Sequence, residues 1–368
     1  MFSAPSFLHQ WGAEHDPAAQ STQSRVPYGV PLYTNAVYYP NWRIYRNEPP
    51  SSLRLGFVSH VFYAFAWVKE DGTVYLSDEW ADNQMPVDGA EGCLRVFVQL
   101  KQQYSMMRVI LSVGGGGKGS ENFAAVADSP SRLDTFVRTA RELVDQFGID
   151  GIDIDWEHPS DFKQGEDYVR LLARLREVLP APRYVLTTAL PAGQWALQNI
   201  DLAAAQNYLD MINLMTYDFA GPWESQTGHQ AQLYGPGISG VSAVSYVIGQ
   251  GVPPQKVILG VPVYGRSFLG SNGPGQQYTG HGGDDGVFDY RDLPRPGTQE
   301  YHDQSIGAAF CVGADGGFVT YDTPETVKQK AQFVTSFKLG GLFYWHVCSD
   351  ARGPRSLVET GYNTLHDL

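Results

Sequence analysis

Eight short runs of apolar and β-branched residues recur along the chain, and they restrict its possible folds more than any other feature. Several are almost continuously hydrophobic, which is typical of strands buried on both faces of a parallel sheet. Helical patterns lie between the runs, so the alternation predicts an α/β fold, a (β/α)8 TIM barrel, with a doubly wound sheet as the alternative. The runs are Asn35–Tyr39, Phe57–Val68, Arg108–Val113, Ile149–Trp156, Tyr184–Leu190, Met211–Tyr217, Lys256–Tyr264 and Gly341–Trp345.

Two of the helical patterns are clear enough to predict where the helices begin. In Ser131–Phe147 the apolar residues recur on one face, and Ser131 with Asp134 fits a capping box. In Thr323–Leu339 the expected N-cap is Thr323, and a proline follows it. We therefore expect helices over both segments.

Residues 269–320 interrupt the alternation of strands and helices. They contain the glycine-rich sequences SNGPG and HGGDDG and only short extended runs. Because structureless loops of this length are uncommon, we predict a small inserted α+β subdomain between strand seven and its helix; a long irregular loop is the alternative. The chain then divides into a flexible leader (1–30), a barrel (31–268 and 321–368) and an insertion (269–320).

Charge and hydropathy exclude several classes of partner. The 26 basic and 39 acidic residues give a net charge of −13, whereas a nucleic-acid partner requires a basic face. No apolar run reaches the roughly 18–20 residues of a membrane span, and the first residues lack the pattern of a secretory signal. We expect no nucleic-acid or membrane partner and leave the localisation open.

The three cysteines, Cys93, Cys311 and Cys348, have no spacing typical of a disulfide framework or a zinc ribbon. One disulfide with one free thiol and three buried thiols both fit the sequence.

The most informative segment is Asp150–Glu157, with the sequence DGIDIDWE. Side chains two residues apart in a strand share a face, so Asp153, Asp155 and Glu157 point the same way. Carboxylates aimed into a barrel interior are desolvated and repel one another, so at least one should keep its proton near neutral pH. A general acid requires such a proton, and Glu157, at the mouth of the barrel, is the candidate.

Other interpretations of these patterns compete with the general-acid hypothesis. A solvated acidic edge strand would not alternate its acids with isoleucine and tryptophan. Three carboxylates could bind Mg²⁺ or Ca²⁺, although the spacing is not that of an EF-hand loop. Gly114, Gly116 and Gly119 fit a dinucleotide-binding GxGxxG pattern, but the candidate acid about 20 residues on, Asp134, lies inside the predicted Ser131 helix and not at the end of a strand. We therefore expect neither a metal nor a cofactor.

Several motifs, in chain order, resemble those of glycoside hydrolase family 18, the chitinases. DGIDIDWE resembles the DxxDxDxE signature of that family, and the likeness extends over most of Asn35–Asp350. The other motifs are Leu111–Gly115 (SxGG), Met215–Phe219 (MxYD), Gly260–Phe268 (the strand-seven segment before the chitinase insertion domain) and Gly341–Trp345 (the strand-eight segment that ends in a tryptophan). Several such motifs in order are far more specific than any one of them.

The resemblance implies hydrolysis of the β-1,4 bonds of N-acetylglucosamine polymers with retention, an exception to the two-carboxylate scheme. The substrate's own N-acetyl oxygen would be the nucleophile and would form an oxazolinium intermediate. Glu157 would be the general acid and base, and Asp155 would orient and stabilise the acetamido group. Asp153 would hold Asp155, and Tyr217 would hydrogen-bond the acetamido oxygen.

The resemblance also implies which residues surround the substrate. Tyr38 and Ser112 are the expected hydrogen-bond partners of Asp153. Met215 and Asp218 would line the pocket of the sugar whose bond is cleaved.

Six further residues match positions of the family around the sugar chain, and core packing is the alternative for each aromatic among them. Trp345 would lie under the sugar at the cleaved bond, and Trp42 and Trp223 would stack on sugars farther along the cleft. The remaining three are Phe65, Tyr264 and Arg266. Gly116 departs from the pattern, because many relatives have a tryptophan there, so part of the roof of the cleft is expected to be missing.

The implied partners are chitin and chito-oligosaccharides, bound by a monomer that acts outside the cell, although no signal peptide is visible. A non-hydrolytic chitinase-like lectin would share the fold but lack the acid, whereas Glu157 is present. The second alternative is an endo-β-N-acetylglucosaminidase that acts on N-glycans.

Overall fold

Eight parallel strands close into a barrel in the part of the chain that the computed structural model describes, residues 33–313 and 315–368. The predicted leader, 1–30, lies outside the described residues. The strands are β1 (Thr34–Pro40), β2 (His60–Val68), β3 (Val74–Leu76), β4 (Pro86–Val87), β5 (Ala90–Glu91), β6 (Arg108–Gly114), β7 (Gly151–Asp155), β8 (Val185–Pro191), β9 (Met211–Met215), β10 (Val257–Pro262), β11 (Tyr264–Phe268), β12 (Val287–Asp289), β13 (Glu300–Asp303), β14 (Ala308–Gly313), β15 (Gly317–Tyr321) and β16 (Gly341–Trp345).

The barrel runs β1, β2, β6, β7, β8, β9, β10 and β16, and β16 pairs back with β1. Each of the eight predicted runs overlaps one of these strands, so the (β/α)8 prediction is confirmed. The strands are buried almost throughout, and all five residues of β7 are buried. Burial on both faces is why these strands are hydrophobic runs in the sequence.

In the described part of the chain, every barrel strand except β1 is followed by at least one α-helix before the next barrel strand or the end of the chain. The helices are α1 (Cys93–Leu100), α2 (Phe123–Asp128), α3 (Pro130–Phe147), α4 (Phe162–Val178), α5 (Gln194–Leu197), α6 (Leu202–Ala205), α7 (Gly240–Gly249), α8 (Pro324–Ser336) and α9 (Leu357–Leu365).

The two predicted helix starts differ in outcome. The capping box at Ser131 is wrong: α3 begins at Pro130, with Ser129 as N-cap and no side-chain cap bond. Proline is favoured at the first helical position because its missing N–H would have no partner there. The second start is confirmed, since Thr323 caps α8 in a capping box with Thr326.

A five-stranded antiparallel sheet lies between β10 and α8, in the order β12-β11-β15-β14-β13. It begins at Tyr264, two residues after β10, and ends at Tyr321, just before the cap of α8. The sheet therefore leaves the barrel at the carboxyl end of strand seven, the face on which barrel enzymes bind their substrates. The division of the chain into a barrel and an insertion stays a prediction.

The structure also shows the state of the three cysteines and whether any described helix could cross a membrane. Cys93, Cys311 and Cys348 are all buried free thiols. Within residues 33–313 and 315–368, none of the helices combines the length and the apolar character that a bilayer crossing requires.

A buried ion pair fixes the return from the antiparallel sheet to the barrel. Asp322 follows β15, and its Oδ2 lies 2.5 Å from Nζ of Lys330 on α8. Both side chains are almost fully buried, and Oδ1 of Asp322 also accepts a bond from the Thr326 hydroxyl. Removing one partner of such a pair leaves an uncompensated buried charge.

We expect Lys330→Met to lower the free energy of unfolding by about 3–5 kcal/mol, because Asp322 would lose its counter-charge in the interior. Lys328→Met, on the exposed face of the same helix, is the matched control and should cost less than about 0.5 kcal/mol. Urea denaturation measures both. Equal losses in the two variants would contradict the structural importance of the pair.

Candidate active site

The acidic strand β7 points its carboxylates into the barrel. Asp153 is fully buried and Asp155 is 4% exposed, whereas Glu157 follows the end of the strand and is half-buried. The three predicted acids therefore lie at successive depths, from the interior of the barrel to its mouth.

Asp153 is saturated with hydroxyl donors. Its Oδ2 accepts bonds from Tyr38 (2.9 Å) and Ser112 (2.7 Å), and its Oδ1 accepts one from Thr187 (2.6 Å). Ser112 and Thr187 are the register partners of Asp153 on the two neighbouring strands. Burial raises the pKa of Asp153, and the three hydroxyls oppose that rise. Thr187 was missed in the sequence, because only the register of β7 with β8 identifies it.

Asp155 has the opposite environment. Its Oδ1 is buried, and no hydrogen-bond partner for it exists among the described residues. Burial and then the charges of Glu157 and Asp153 hold the pKa of Asp155 well above its usual range. A buried acceptor without a donor is costly in the free protein, and a ligand N–H aimed at it would relieve that cost.

Glu157 retains a proton near neutrality. Burial, followed by the negative charge of Asp218, raises the pKa of Glu157 to about 7. The Ser120 hydroxyl accepts the Glu157 backbone N–H at 2.8 Å and donates to the carbonyl of Gly115 at 2.8 Å. Ser120 thus ties the acid to the loop after β6, a role that no motif in the sequence indicated.

Tyr217 follows β9, and its ring packs edge-on against Tyr264 and Phe343. A Cβ at Gly260 would lie 2.9 Å from the Tyr217 ring, so glycine at that position makes room for it. Burial, then the neighbouring Tyr264 and the nearby acids, raises the pKa of Tyr217 well above its usual value. Its hydroxyl therefore keeps its proton and can donate a hydrogen bond.

Asp218 is held by two donors. Its Oδ1 accepts from the Tyr264 hydroxyl at 2.6 Å and from Nε of Arg266 at 2.7 Å. Its φ of 60° is left-handed, a conformation that aspartate tolerates better than most residues. Met215, at the end of β9, packs against the buried cluster that includes Tyr38. The structure thus brings the predicted residues at the end of β9 together with those of β11.

An aromatic cluster lies at the ends of β1, β2 and β16. Trp345 packs edge-on against Tyr38 at 5.5 Å and stacks on Phe65 at 5.7 Å, and Trp42 lies 6.3 Å from its ring centre. Trp42 is 45% exposed, whereas Phe65 is 8% exposed and supports Trp345 from behind. Trp42 and Trp345 are therefore the members of this cluster with surface available for a ligand.

Trp223 lies elsewhere, in the loop after β9, and is 56% exposed. It lines a cavity of about 790 Å³ together with Asp218 and His158, the residue that follows Glu157. The guanidinium of Arg266 lies 4.7 Å from the centre of its ring. The predicted residues thus form two aromatic groups that flank the acids.

In the described part of the chain, one group of side chains is compact enough to hold a metal ion. It consists of Glu300, His302 and Glu325. None of these belongs to the acidic strand. The oxygens of Asp153 are instead occupied by hydroxyl donors.

The glycines after β6 differ sharply in what they tolerate. Gly115 has φ +87°, and a Cβ there would lie 2.8 Å from the Phe65 ring. Gly116 has an ordinary φ of −61°, and a Cβ there would lie 3.8 Å from the Glu157 carboxylate. Of these two glycines, Gly115 is therefore the one that the backbone requires.

We expect Gly115→Ala to destabilise the fold by about 1–3 kcal/mol, through a strained φ and a clash with Phe65. Gly116→Ala should change stability by less than about 0.5 kcal/mol and is the matched control. Thermal unfolding of both variants tests this pair, and a tolerated Gly115→Ala would contradict the described loop.

The chain is similar over most of its length to proteins of one family. Residues 34–350 match the model of the glycosyl hydrolases family 18. The chain is 36% identical over 362 residues to Endochitinase 1 of Metarhizium robertsii, and the match covers 90% of this chain and 85% of that protein.

Two solved structures extend the likeness to three dimensions. One is a Group IV chitinase of Ostrinia furnacalis in complex with allosamidin, with TM-score 0.82 and 27% identity, covering 90% of this chain and 98% of that one. The other is a chitinase of Cycas revoluta in complex with (GlcNAc)3, with TM-score 0.79 and 27% identity, covering 89% and 98%. The chain belongs to family 18 of the glycosyl hydrolases.

Proposed function

We propose that this family 18 chitinase hydrolyses the β-1,4 bonds of N-acetylglucosamine polymers with net retention, and that the nucleophile is the acetamido oxygen of the substrate. The observation that supports this most directly is the buried Oδ1 of Asp155, for which no donor exists among the described residues. The N–H of an N-acetyl group would satisfy it.

In the first step Glu157 donates its proton to the glycosidic oxygen as the C1–O bond breaks. The acetamido oxygen attacks C1 from the opposite face and forms a cyclic oxazolinium. Asp155 accepts the acetamido N–H and stabilises the positive charge that develops there. The Tyr217 hydroxyl donates to the acetamido oxygen and holds it in line with C1.

In the second step Glu157, now a carboxylate, takes a proton from water. The water oxygen bonds to C1 on the face that the leaving group vacated, and the C1–O bond of the oxazolinium breaks. Both substitutions invert C1, so the product retains the original anomeric form. The pKa of Glu157 is about 7, so this residue can act first as an acid and then as a base near neutrality.

The remaining residues position the reacting groups. The three hydroxyls of Tyr38, Ser112 and Thr187 fix Asp153, whose charge raises the pKa of Asp155. Trp345 provides a flat apolar surface for the sugar at the cleaved bond. The substrate-binding set also includes Trp42, Met215, Asp218, Trp223, Tyr264 and Arg266, with Phe65 behind Trp345.

Two alternatives are less well supported. A lectin of this fold would have no use for a glutamic acid whose pKa is raised to about 7. An endo-β-N-acetylglucosaminidase could share the chemistry, but β11 of the antiparallel sheet brings Tyr264 and Arg266 to Asp218 and so extends the site beyond the barrel, which suits an extended linear chain. We propose chitin and chito-oligosaccharides as the ligands and a monomer as the active form, and we expect action outside the cell.

Hydrolysis of an N-acetylglucosamine hexamer, with and without EDTA, tests this proposal. The size and the anomeric form of the first products should be followed by chromatography and NMR. Retained-anomer products in both conditions are expected, and the fully deacetylated hexamer should resist cleavage because it lacks the nucleophile. Inverted products, or cleavage that EDTA abolishes, would overturn the mechanism.

We expect Glu157→Gln to lower kcat by at least about 100-fold, because the amide keeps the shape of the side chain but has no proton to give. Binding of the hexamer, measured by calorimetry, should persist. Asp155→Asn should also lower kcat severely while the melting temperature stays close to that of the native chain. Near-native turnover in either variant would reject the role proposed for that residue.

The pH dependence of kcat/KM should show the titration of Glu157. The acid is protonated below its folded pKa, so activity should fall as the pH rises through about 7. Asp218→Asn removes a charge that raises this pKa, so the falling limb should move to lower pH. Asp134→Asn, on the exposed surface of α3, removes the same charge far from the site and should leave the limb in place. An unmoved limb in Asp218→Asn would contradict the proposed coupling.

A further inference from the structure

The cavity of about 790 Å³ beside Glu157 contains a tryptophan that neither the motifs nor the mechanism uses. Trp195 lies on α5, just after barrel strand β8, and 65% of its surface is exposed. It lines the cavity together with His158, Asp218 and Trp223. Trp345 and Trp42, which form the other aromatic group, do not line it.

The indole of Trp195 is held in place although it is exposed. It lies against the backbone of Gly193, where an added Cβ would come within 2.2 Å of its Nε1. Its ring also meets the ring of His158 edge-on, with centres 5.3 Å apart and planes at 83°. Contacts on two sides restrict its rotamers, so little side-chain entropy is left to lose when a ligand binds.

His158 connects this tryptophan to the catalytic acid. It follows Glu157 in the chain, and its Nε2 lies 3.9 Å from Oε2 of the acid. Burial lowers the pKa of His158 to about 4, so the ring is neutral at neutral pH. Its Nδ1 is buried without a hydrogen-bond partner among the described residues. The ring is thus an uncharged contact that fixes Trp195 a short distance beyond the acid.

Trp223 lies on the same cavity and is held in a similar way. Its ring lies over Gly221, where an added Cβ would come within 2.3 Å of it, and beside the guanidinium of Arg266. Two oriented tryptophans therefore share a cavity whose volume is within the range of about 300–1,000 Å³ usual for ligand sites.

We propose that Trp195 binds the leaving-group half of the sugar chain, with Trp223, and sets how many sugars lie on that side of the cleaved bond. The inference depends on the proposed function, which places the sugar at the cleaved bond on Trp345 and its glycosidic oxygen at Glu157. The leaving half then extends past Glu157 to His158 and the cavity. The ligand class is an N-acetylglucosamine chain, whose apolar ring faces pack on indole planes.

The test uses the N-acetylglucosamine hexamer labelled with ¹⁸O at its reducing end, which is the end that leaves. Mass spectrometry of the first products shows how many sugars lie on each side at cleavage. In Trp195→Ala the labelled fragments should become shorter, because binding on the leaving side is weaker. The kcat/KM on the hexamer should fall about 5- to 10-fold, the size of one lost stacking contact.

Three further variants make the result specific. Trp42→Ala weakens the opposite side, so its labelled fragments should become longer. Trp195→Phe keeps an aromatic face and should restore the native pattern, and it also serves if the alanine variant fails to fold. Trp80→Ala removes a tryptophan that is 50% exposed and does not line this cavity, and it should change nothing.

The outcomes separate this inference from the proposed function. An unchanged fragment pattern in Trp195→Ala, with the native chain active, would overturn the inference and leave the proposed function intact. A lower rate in both Trp195 variants with an unchanged pattern would also overturn it, because the residue would then be structural. A native chain that does not cleave the hexamer would overturn the proposed function first.

Discussion

The desolvation of three carboxylates along one barrel strand is the constraint to which the rest of the site is fitted. Each acid has a different environment, and the environments separate their proton affinities. Asp153 has three hydroxyl donors, whereas Asp155 Oδ1 has none among the described residues. Glu157, at the barrel mouth, has a pKa raised to about 7. One local pattern therefore produces a carboxyl held by three hydroxyls, an open acceptor and an acid that can give and take a proton.

This separation depends on the register of the barrel. Ser112, Asp153 and Thr187 are level with one another on β6, β7 and β8, so all three side chains point into the interior. A shift of one residue in any of these strands would turn its side chain to the other face of the sheet and leave Asp153 short of a donor. Gly114 supports the same arrangement, because a Cβ there would lie 2.1 Å from the carbonyl oxygen of Asp155. The close approach of β6 to β7 thus excludes any larger residue at that position.

The barrel and the acidic strand could be predicted from the sequence because their patterns are local. A period of two within eight residues suffices to place the three acids on one face, and the buried strands are visible as hydrophobic runs. Thr187 could not be found in this way, since it lies 34 residues from Asp153 and only the pairing of strands brings the two together.

Ser120 and Trp195 show a second limit of sequence reasoning. Ser120 reaches Glu157 because a glycine-rich loop folds back over the strand end, and no periodic pattern encodes that path. Two local signals compete at the start of α3, and Pro130 fits the first helical position better than Ser131 fits the cap. Trp195 occurs alone in a four-residue helix, so its neighbours in the sequence do not show that it lies beside the acid.

The aromatic residues of the cleft are oriented before any ligand binds. The contacts that orient them differ between the two sides of the cleft. Trp345 is held by other aromatic rings, Phe65 and Tyr38. Trp195 and Trp223 lie instead on glycine backbones, at Gly193 and Gly221. Rings that are already fixed lose little conformational entropy on binding, so more of the contact energy remains to hold the chain across the acid. Since a sugar must be distorted and aligned at the cleaved bond, binding energy from both sides can contribute to catalysis at Glu157.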